Sequence, residues 1–269
     1  MAEPSPAELY EKLHVGNPGD LVFYREQCSG AASILELGCG YGRVLEAISG
    51  ADRRVVGLDL DSDLLDLARK RVAPLASHDI NLVIGDMRSF SLDAKFERIL
   101  IPYSAIYCLL TDDDVVACLR CIAEHLAPGG RVVLDAYSAD GFHREGHDDK
   151  ADVVDDDDDD DDNNEAEMYE EDDGEVGTIV HGAREYRVTE RSIWSRDEQL
   201  LDVVYVHEPL AGGHSIATQI HHRYLLSEQF GPLLAEAGLE LTTIAGDYRG
   251  AKPDDDSDLI VVTATHAPT

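Results

Sequence analysis

Three glycines at alternate positions, Gly38, Gly40 and Gly42, stand directly behind the carboxylate of Glu36, and Asp59 follows the first of them by about twenty residues. Glycine has no Cβ, so it takes positive φ or lets a bound molecule lie against the main chain. A carboxylate at the place of Asp59 can accept hydrogen bonds from both hydroxyls of a ribose. Together these residues can hold a nucleoside. The elements that must position them are readable around them. Ile34, Leu35 and Leu37 form a short apolar run of the kind buried in a parallel sheet, and helical spacing resumes at once with Val44, Leu45 and Ile48. A second apolar run, Val55, Val56 and Leu58, ends at Asp59, and Leu64, Leu65, Ala68 and Val72 then make the stripe of another helix. Strand, glycine loop and helix open a nucleotide-binding βαβ unit. Capping of the following helix falls to Asp61 rather than to Asp59.

Glycine spacing separates the candidate ligands. A dinucleotide site requires G-x-G-x-x-G, with the last glycine allowing close packing beside a pyrophosphate. Here Arg43 occupies that place and the third glycine comes one residue earlier, which disfavours NAD. The pattern Glu36-x-Gly38-x-Gly40-x-Gly42 resembles motif I of the class I S-adenosylmethionine (SAM) dependent methyltransferases. Three further segments agree with that family. Ile80-Asn81-Leu82-Val83-Ile84-Gly85-Asp86-Met87 is similar to its third strand and acidic end, Phe96-Glu97-Arg98-Ile99-Leu100-Ile101-Pro102 to its fourth strand, and residues 126–134 to the turn and fifth strand. The resemblance implies SAM as cofactor, released as S-adenosylhomocysteine (SAH). It implies contacts from Glu36, Gly38, Cys39, Gly40, Gly42 and Arg43 in motif I, from Asp59 and Leu60 at the ribose, and from Asp86 and Met87 at the adenine. It also implies Ile101 and Pro102 at the end of the fourth strand, and Tyr24 from a segment that folds over the cofactor. The implied fold is an α/β, Rossmann-like seven-stranded mixed sheet, last strand antiparallel, with helices on both faces and an inserted antiparallel β-meander.

The chain divides accordingly. Residues 1–30 read as an N-terminal helical cap, too apolar for a free tail and split by Gly16-Asn17-Pro18-Gly19-Asp20; Tyr10 or Tyr24 closes the site, or both simply pack. Residues 31–145 form the cofactor-binding core. Residues 146–177 are almost wholly acidic, cannot bury enough surface to offset their ordering entropy, and are expected to be disordered. Their Asp run lacks the mid-loop glycine and terminal glutamate of a calcium loop. Residues 178–226 alternate as a meander of three strands, near 182–194, 199–208 and 214–226, broken at Ser195-Arg196-Asp197-Glu198 and Ala211-Gly212-Gly213. Residues 227–269 hold a helix that ends at Gly238 and the last two strands of the core.

Composition restricts the partners. With 269 residues and 43% hydrophobic content the chain can bury one large core. The formal net charge of −33 argues against nucleic acid and anionic membranes, and no basic patch counters it. Lysine occurs only at Lys12, Lys70, Lys95, Lys150 and Lys252, a balance that resembles proteins of salt-in halophiles. No signal-peptide core or apolar span is visible, so a cytoplasmic protein is expected, acting as a monomer or homodimer. Five cysteines at irregular spacing suggest no disulfide framework, and Cys118 and Cys121, in a helix without a second ligand pair, suggest no metal.

Methyl transfer from a sulfonium is a direct displacement that needs alignment and exclusion of water more than a fixed catalytic set. The residues placed to orient an acceptor are Tyr103 and Tyr107 after the fourth strand, with Tyr137 at the end of the fifth; the competing reading for each is aromatic packing. His221 and His222 are adjacent in a strand, point to opposite faces and cannot share a metal, although one can reach the pocket. Thr111 and Asp114 are spaced to cap a helix, not to catalyse. The expected activity is methyl transfer to N or O of a small molecule. The alternatives are a sugar or amine N-methyltransferase of a biosynthetic pathway and a non-catalytic SAM-binding regulator.

Overall fold

Local sequence signals explain most element boundaries. In the computed structural model, which describes residues 3–148, 168–170 and 174–268, the chain opens with helices α1 (Pro6–Leu13) and α2 (Asp20–Gln27). α1 begins where Ser5 and Glu8 cap each other reciprocally and Pro6 supplies a preset φ. There follow β1 (Ser33–Leu37), α3 (Arg43–Ile48), β2 (Arg54–Asp59), α4 (Ser62–Val72), β3 (Asp79–Ile84) and β4 (Phe96–Ile101). After these come α5 (Asp112–His125), β5 (Leu126–Tyr137) and α6 (Asp140–Asp148). Asp61 caps α4 by accepting from the N–H groups of Asp63 and Leu64, and Thr111 caps α5 by accepting from that of Asp114. The remaining elements are β6 (Met168–Glu170), β7 (Gly174–His181), β8 (Arg184–Ser195), β9 (Leu200–Pro209), β10 (Ile216–Arg223), α7 (Phe230–Glu236), β11 (Leu239–Ala245) and β12 (Leu259–His266).

Seven strands form the main sheet in the order β11-β12-β5-β4-β1-β2-β3. β1 to β5 pair in parallel, while β12 runs antiparallel to both β5 and β11. Such a sheet is covered on both faces, which is why β1 and β4 are rich in apolar residues: Ile34, Leu35, Leu37, Ile99, Leu100 and Ile101 are all fully buried. One core lies against α5 and α7, the other beneath α2, α3 and α4. Strand order reverses between β1 and β4, so a crevice opens beyond their C-terminal ends, where ligands bind in sheets of this kind.

The second sheet has the order β10-β9-β8-β6, with β7 also paired to β8, all antiparallel. It is larger than the three-strand meander expected from the sequence. Residues 174–177, assigned to a disordered insertion, belong to β7, with Gly174 opposite Glu190 and Gly177 opposite Val188. Gly182, expected to open a strand, is instead in the β7–β8 turn at φ 61°. The acidic composition before residue 177 hid the β-branched run Thr178-Ile179-Val180, which alternates between half-buried and exposed against β8. Residues 149–167 and 171–173, also expected to be disordered, lie outside the described residues. No described helix is long and apolar enough to cross a membrane.

Candidate active site

β1 delivers the chain to a loop whose glycines have different tasks. A Cβ on Gly40, which sits at φ 50°, would meet no atom within 4 Å, so this stretch of main chain is open to a ligand. At Gly42 a Cβ would come 3.1 Å from Cβ of Ala68, so that glycine lets α3 approach α4. The carboxylate of Asp59, at the end of β2, accepts from the N–H of Gly40 at 2.6 Å and from that of Asp61 at 2.9 Å. At the end of β3, Asp86 is gripped by the guanidinium of Arg88 at 2.6 Å, and Arg88 reaches Asp114 of α5 at 3.0 Å. Arg88 holds the Asp86 carboxyl below its ordinary range, so it stays an acceptor.

These residues border a cavity of about 1430 Å³ that continues across to the inner face of the second sheet. Of the residues expected around a cofactor, Gly38, Gly40, Asp59, Leu60, Asp86, Met87 and Pro102 line it. Glu36, Cys39, Gly42, Arg43 and Ile101 are not on its wall. Burial pushes the Glu36 carboxyl well above its usual range, against the pull of Arg43, and one of its oxygens has no partner in the structure. Arg43 is held by Asp20 of the cap at 2.6 Å.

Two expected residues are corrected by their surroundings. Tyr24 does not reach the cavity: it is fully buried among Phe23 and the main-sheet core, and its hydroxyl donates to Asp135. Tyr107 is likewise sealed in the core, its hydroxyl within reach of the carbonyls of Tyr137 at 3.0 Å and Leu225 at 3.1 Å. An aromatic ring is the right size to close the space under β10, and that is its place. Tyr103, by contrast, lines the cavity, as does Tyr137.

The loop carrying Tyr103 is strained and clamped. Tyr103 and Ser104 have φ of 55° and 61°, a conformation L-residues adopt only when their surroundings impose it. The clamp is Asp135, 1% exposed near the end of β5. Its carboxylate accepts from the N–H of Tyr103 at 3.0 Å, from the hydroxyls of Tyr24 and Tyr248 (the latter at 2.8 Å) and from the Asn17 amide at 3.4 Å. Ser104 adds its N–H to the Asp135 carbonyl and accepts from the N–H of Tyr137. The sequence reading passed over Asp135, although a lone acid inside Val132-Val133-Leu134-Asp135-Ala136 signals a buried, satisfied carboxylate.

His14, just past α1, is a second residue not foreseen. It lines the cavity between the rings of Tyr10, Tyr103 and Tyr205, and its Nε2 is buried with no partner in the structure. Burial lowers its pKa to about 4, as it does for His222 on the facing wall, so both rings are neutral near pH 7. His221 pairs with Asp202 at 2.6 Å. Among the described residues no group of acids, histidines and cysteines is arranged to hold a metal.

Comparison with known proteins agrees with this geometry. Residues 34–130 match the family described as methyltransferase domain. A dTDP-3-amino-3,4,6-trideoxy-alpha-D-glucopyranose N,N-dimethyltransferase of Streptomyces venezuelae is 32% identical over 145 residues, 51% of this chain and 59% of the relative. The cypemycin N-terminal methyltransferase of a Streptomyces species is 33% identical over 116 residues, 43% of this chain and 46% of the relative. The chain thus spans about half the length of the curated relatives it matches. Among solved structures, the CcbJ methyltransferase of Streptomyces caelestis superposes with a TM-score of 0.72 at 21% identity, covering 94% of this chain and 91% of that one. DesVI of Streptomyces venezuelae does so with 0.65 at 22% identity, covering 97% and 99%. These two establish the fold.

Proposed function

We propose that this chain, whose residues 34–130 match the methyltransferase domain family, is a class I SAM-dependent enzyme that transfers a methyl group from SAM to a nitrogen or oxygen of a small molecule. The observation that carries the proposal is the single cavity that joins the glycine loop, Asp59 and Asp86 to the inner face of the second sheet, giving one space for donor and acceptor. The residues fit SAM. The main chain at Gly40 is open where a ligand would lie, and Asp59, Asp86 and Met87 line the same cavity, where they would receive the ribose hydroxyls and the adenine of SAM. Glu36, Cys39, Gly42, Arg43 and Ile101 support that cradle from behind.

SAM supplies an activated methyl on a sulfonium. The chain then has to align the acceptor and keep water out, and proximity of that kind contributes about 7 to 11 kcal/mol. Tyr103, which follows β4 and whose N–H is fixed by Asp135, lines the cavity and is placed to set the acceptor's approach. Nitrogen is the favoured acceptor atom, because two of the relatives matched are named as an amino-sugar N,N-dimethyltransferase and as an N-terminal methyltransferase. A cytoplasmic, high-salt setting and action as a monomer or homodimer belong to the same proposal. The charge of −33 supports the salt adaptation, and the described cysteines, all free, suit a reducing compartment. Incubation with methyl-labelled SAM and a metabolite extract tests the activity: label should move to a small molecule, and no transfer to any acceptor by protein that binds SAH would refute an enzymatic role.

A further inference from the structure

Beyond Tyr103 the cavity is walled by His14 from the cap, Tyr137 from β5 and, from the second sheet, Glu190, Ser192, Tyr205 and His222. Among the described residues, this half has no lysine or arginine. Among the described residues that line the cavity, Arg88 is the one lysine or arginine, and it lies in the donor half between Asp86 and Asp114. Arg43, whose guanidinium is 5.7 Å from the centre of the Tyr103 ring, is bound to Asp20 at 2.6 Å. The two histidines are neutral at physiological pH. What the wall does offer is a carboxylate. Glu190 on β8 accepts from Ser192 Oγ at 3.2 Å and from the hydroxyl of Tyr205, its cross-strand neighbour on β9. A second, independent feature points to a ligand: His14 is only 8% exposed, yet its buried Nε2 has no partner in the structure. A buried polar atom left so is costly unless something binds it.

We propose that the acceptor is a small amine carrying no phosphate or nucleotide, hydrogen-bonded by the Glu190 carboxylate and by Nε2 of His14. The proposal rests on the methyl-transfer reading and narrows it. A nucleoside diphosphate would bring two negative charges against Glu190 with no cation among the described lining residues to receive them, inside a chain whose net charge is already −33. The amine enters as an ammonium drawn by that charge and loses one proton to solvent. Its lone pair then forms the N–C bond as the S–C bond breaks, the electron pair leaving on sulfur, and the product departs as the methylated ammonium. A neutral imidazole at His14 suits this step, because it binds the amine without competing for the proton.

Calorimetry on the SAH complex with dTDP, and turnover of a panel of free aminohexoses and arylalkylamines, decide the matter. dTDP should show no binding up to about 1 mM, and at least one free amine should be methylated. Glu190→Gln should raise KM for that amine by about tenfold or more while leaving SAH affinity and kcat nearly unchanged. His14→Phe should lower kcat/KM without altering SAH affinity. Micromolar dTDP binding, an unchanged KM in Glu190→Gln, or no methylated amine from protein that binds SAH would each overturn the proposal. Failure of the unaltered protein to bind SAH would instead overturn the methyltransferase reading beneath it.

Discussion

Asp59 and Asp135 are both carboxylates at strand ends, and only one of them was readable in advance. Asp59 belongs to a local pattern, an apolar run that stops at an acid about twenty residues after a glycine, and its task follows from that run alone. Asp135 takes its meaning from Asn17, Tyr24, Tyr103 and Tyr248, which come from three separate parts of the chain. The same holds for His14, Glu190 and Tyr205, brought together only by the packing of the cap on the second sheet. Cavity-lining residues at the strand ends, Tyr103 and Tyr137 among them, were therefore legible, whereas His14, Glu190 and Tyr205 were not. His222 illustrates a further consequence of burial. The unfolded chain takes up a proton there below about pH 6.5, whereas the folded chain keeps the ring neutral down to about pH 4, so the folded state is at full stability above that window and loses stability as pH falls through it. His222→Phe cannot titrate. Between pH 7 and pH 5 the stability difference should move in favour of the variant by about 2 kcal/mol, measured by urea unfolding of both proteins; a pH-independent difference would show that the ring is not held neutral.

Elements were recovered where their period was strong and lost where composition masked it. β1, β2, β4 and β5 are apolar runs and α4 and α5 carry clear stripes and caps, so their existence and order could be read directly. β7 was missed because acidic residues precede it, and its partner β8 supplies the pairing that its own composition does not advertise. The strand–loop–helix unit also assigns separate tasks to its glycines. At Gly57 on β2 a Cβ would fall 2.5 Å from Cδ1 of Leu45 and 2.9 Å from Sγ of Cys39, so Gly57→Ala overpacks the contact between β2 and α3. Its unfolding free energy should fall by about 1 to 3 kcal/mol. Gly40→Ala has free space around the new methyl group but places an L side chain at φ 50°, a strain of about 1 kcal/mol, so its larger effect should be on SAH affinity. Denaturant titration and calorimetry on the two variants separate these outcomes, and equal effects on both quantities would mean that the loop and the packing contact are not distinct.

For the molecule as a whole, charge and cavity are the governing features. A net charge of −33 on 269 residues produces self-repulsion that salt relieves, with a Debye length of about 10 Å at 0.1 M falling to about 3 Å at 1 M. Tm should therefore rise between dilute buffer and molar KCl, and a flat or falling profile would remove the case for salt adaptation. The cavity makes a function of the fold, because the donor cradle at the end of the main sheet and the wall of the second sheet face one space. Everything said about the acceptor depends on that cradle receiving SAM. Calorimetric titration with SAH, run in parallel with NAD on the unaltered protein and on Asp59→Ala, tests it most directly. The unaltered protein should bind SAH and not NAD, and Asp59→Ala should weaken SAH by about 30-fold or more, since two hydrogen bonds to a charged group are lost. Binding of NAD in place of SAH, or SAH affinity indifferent to Asp59, would contradict the account.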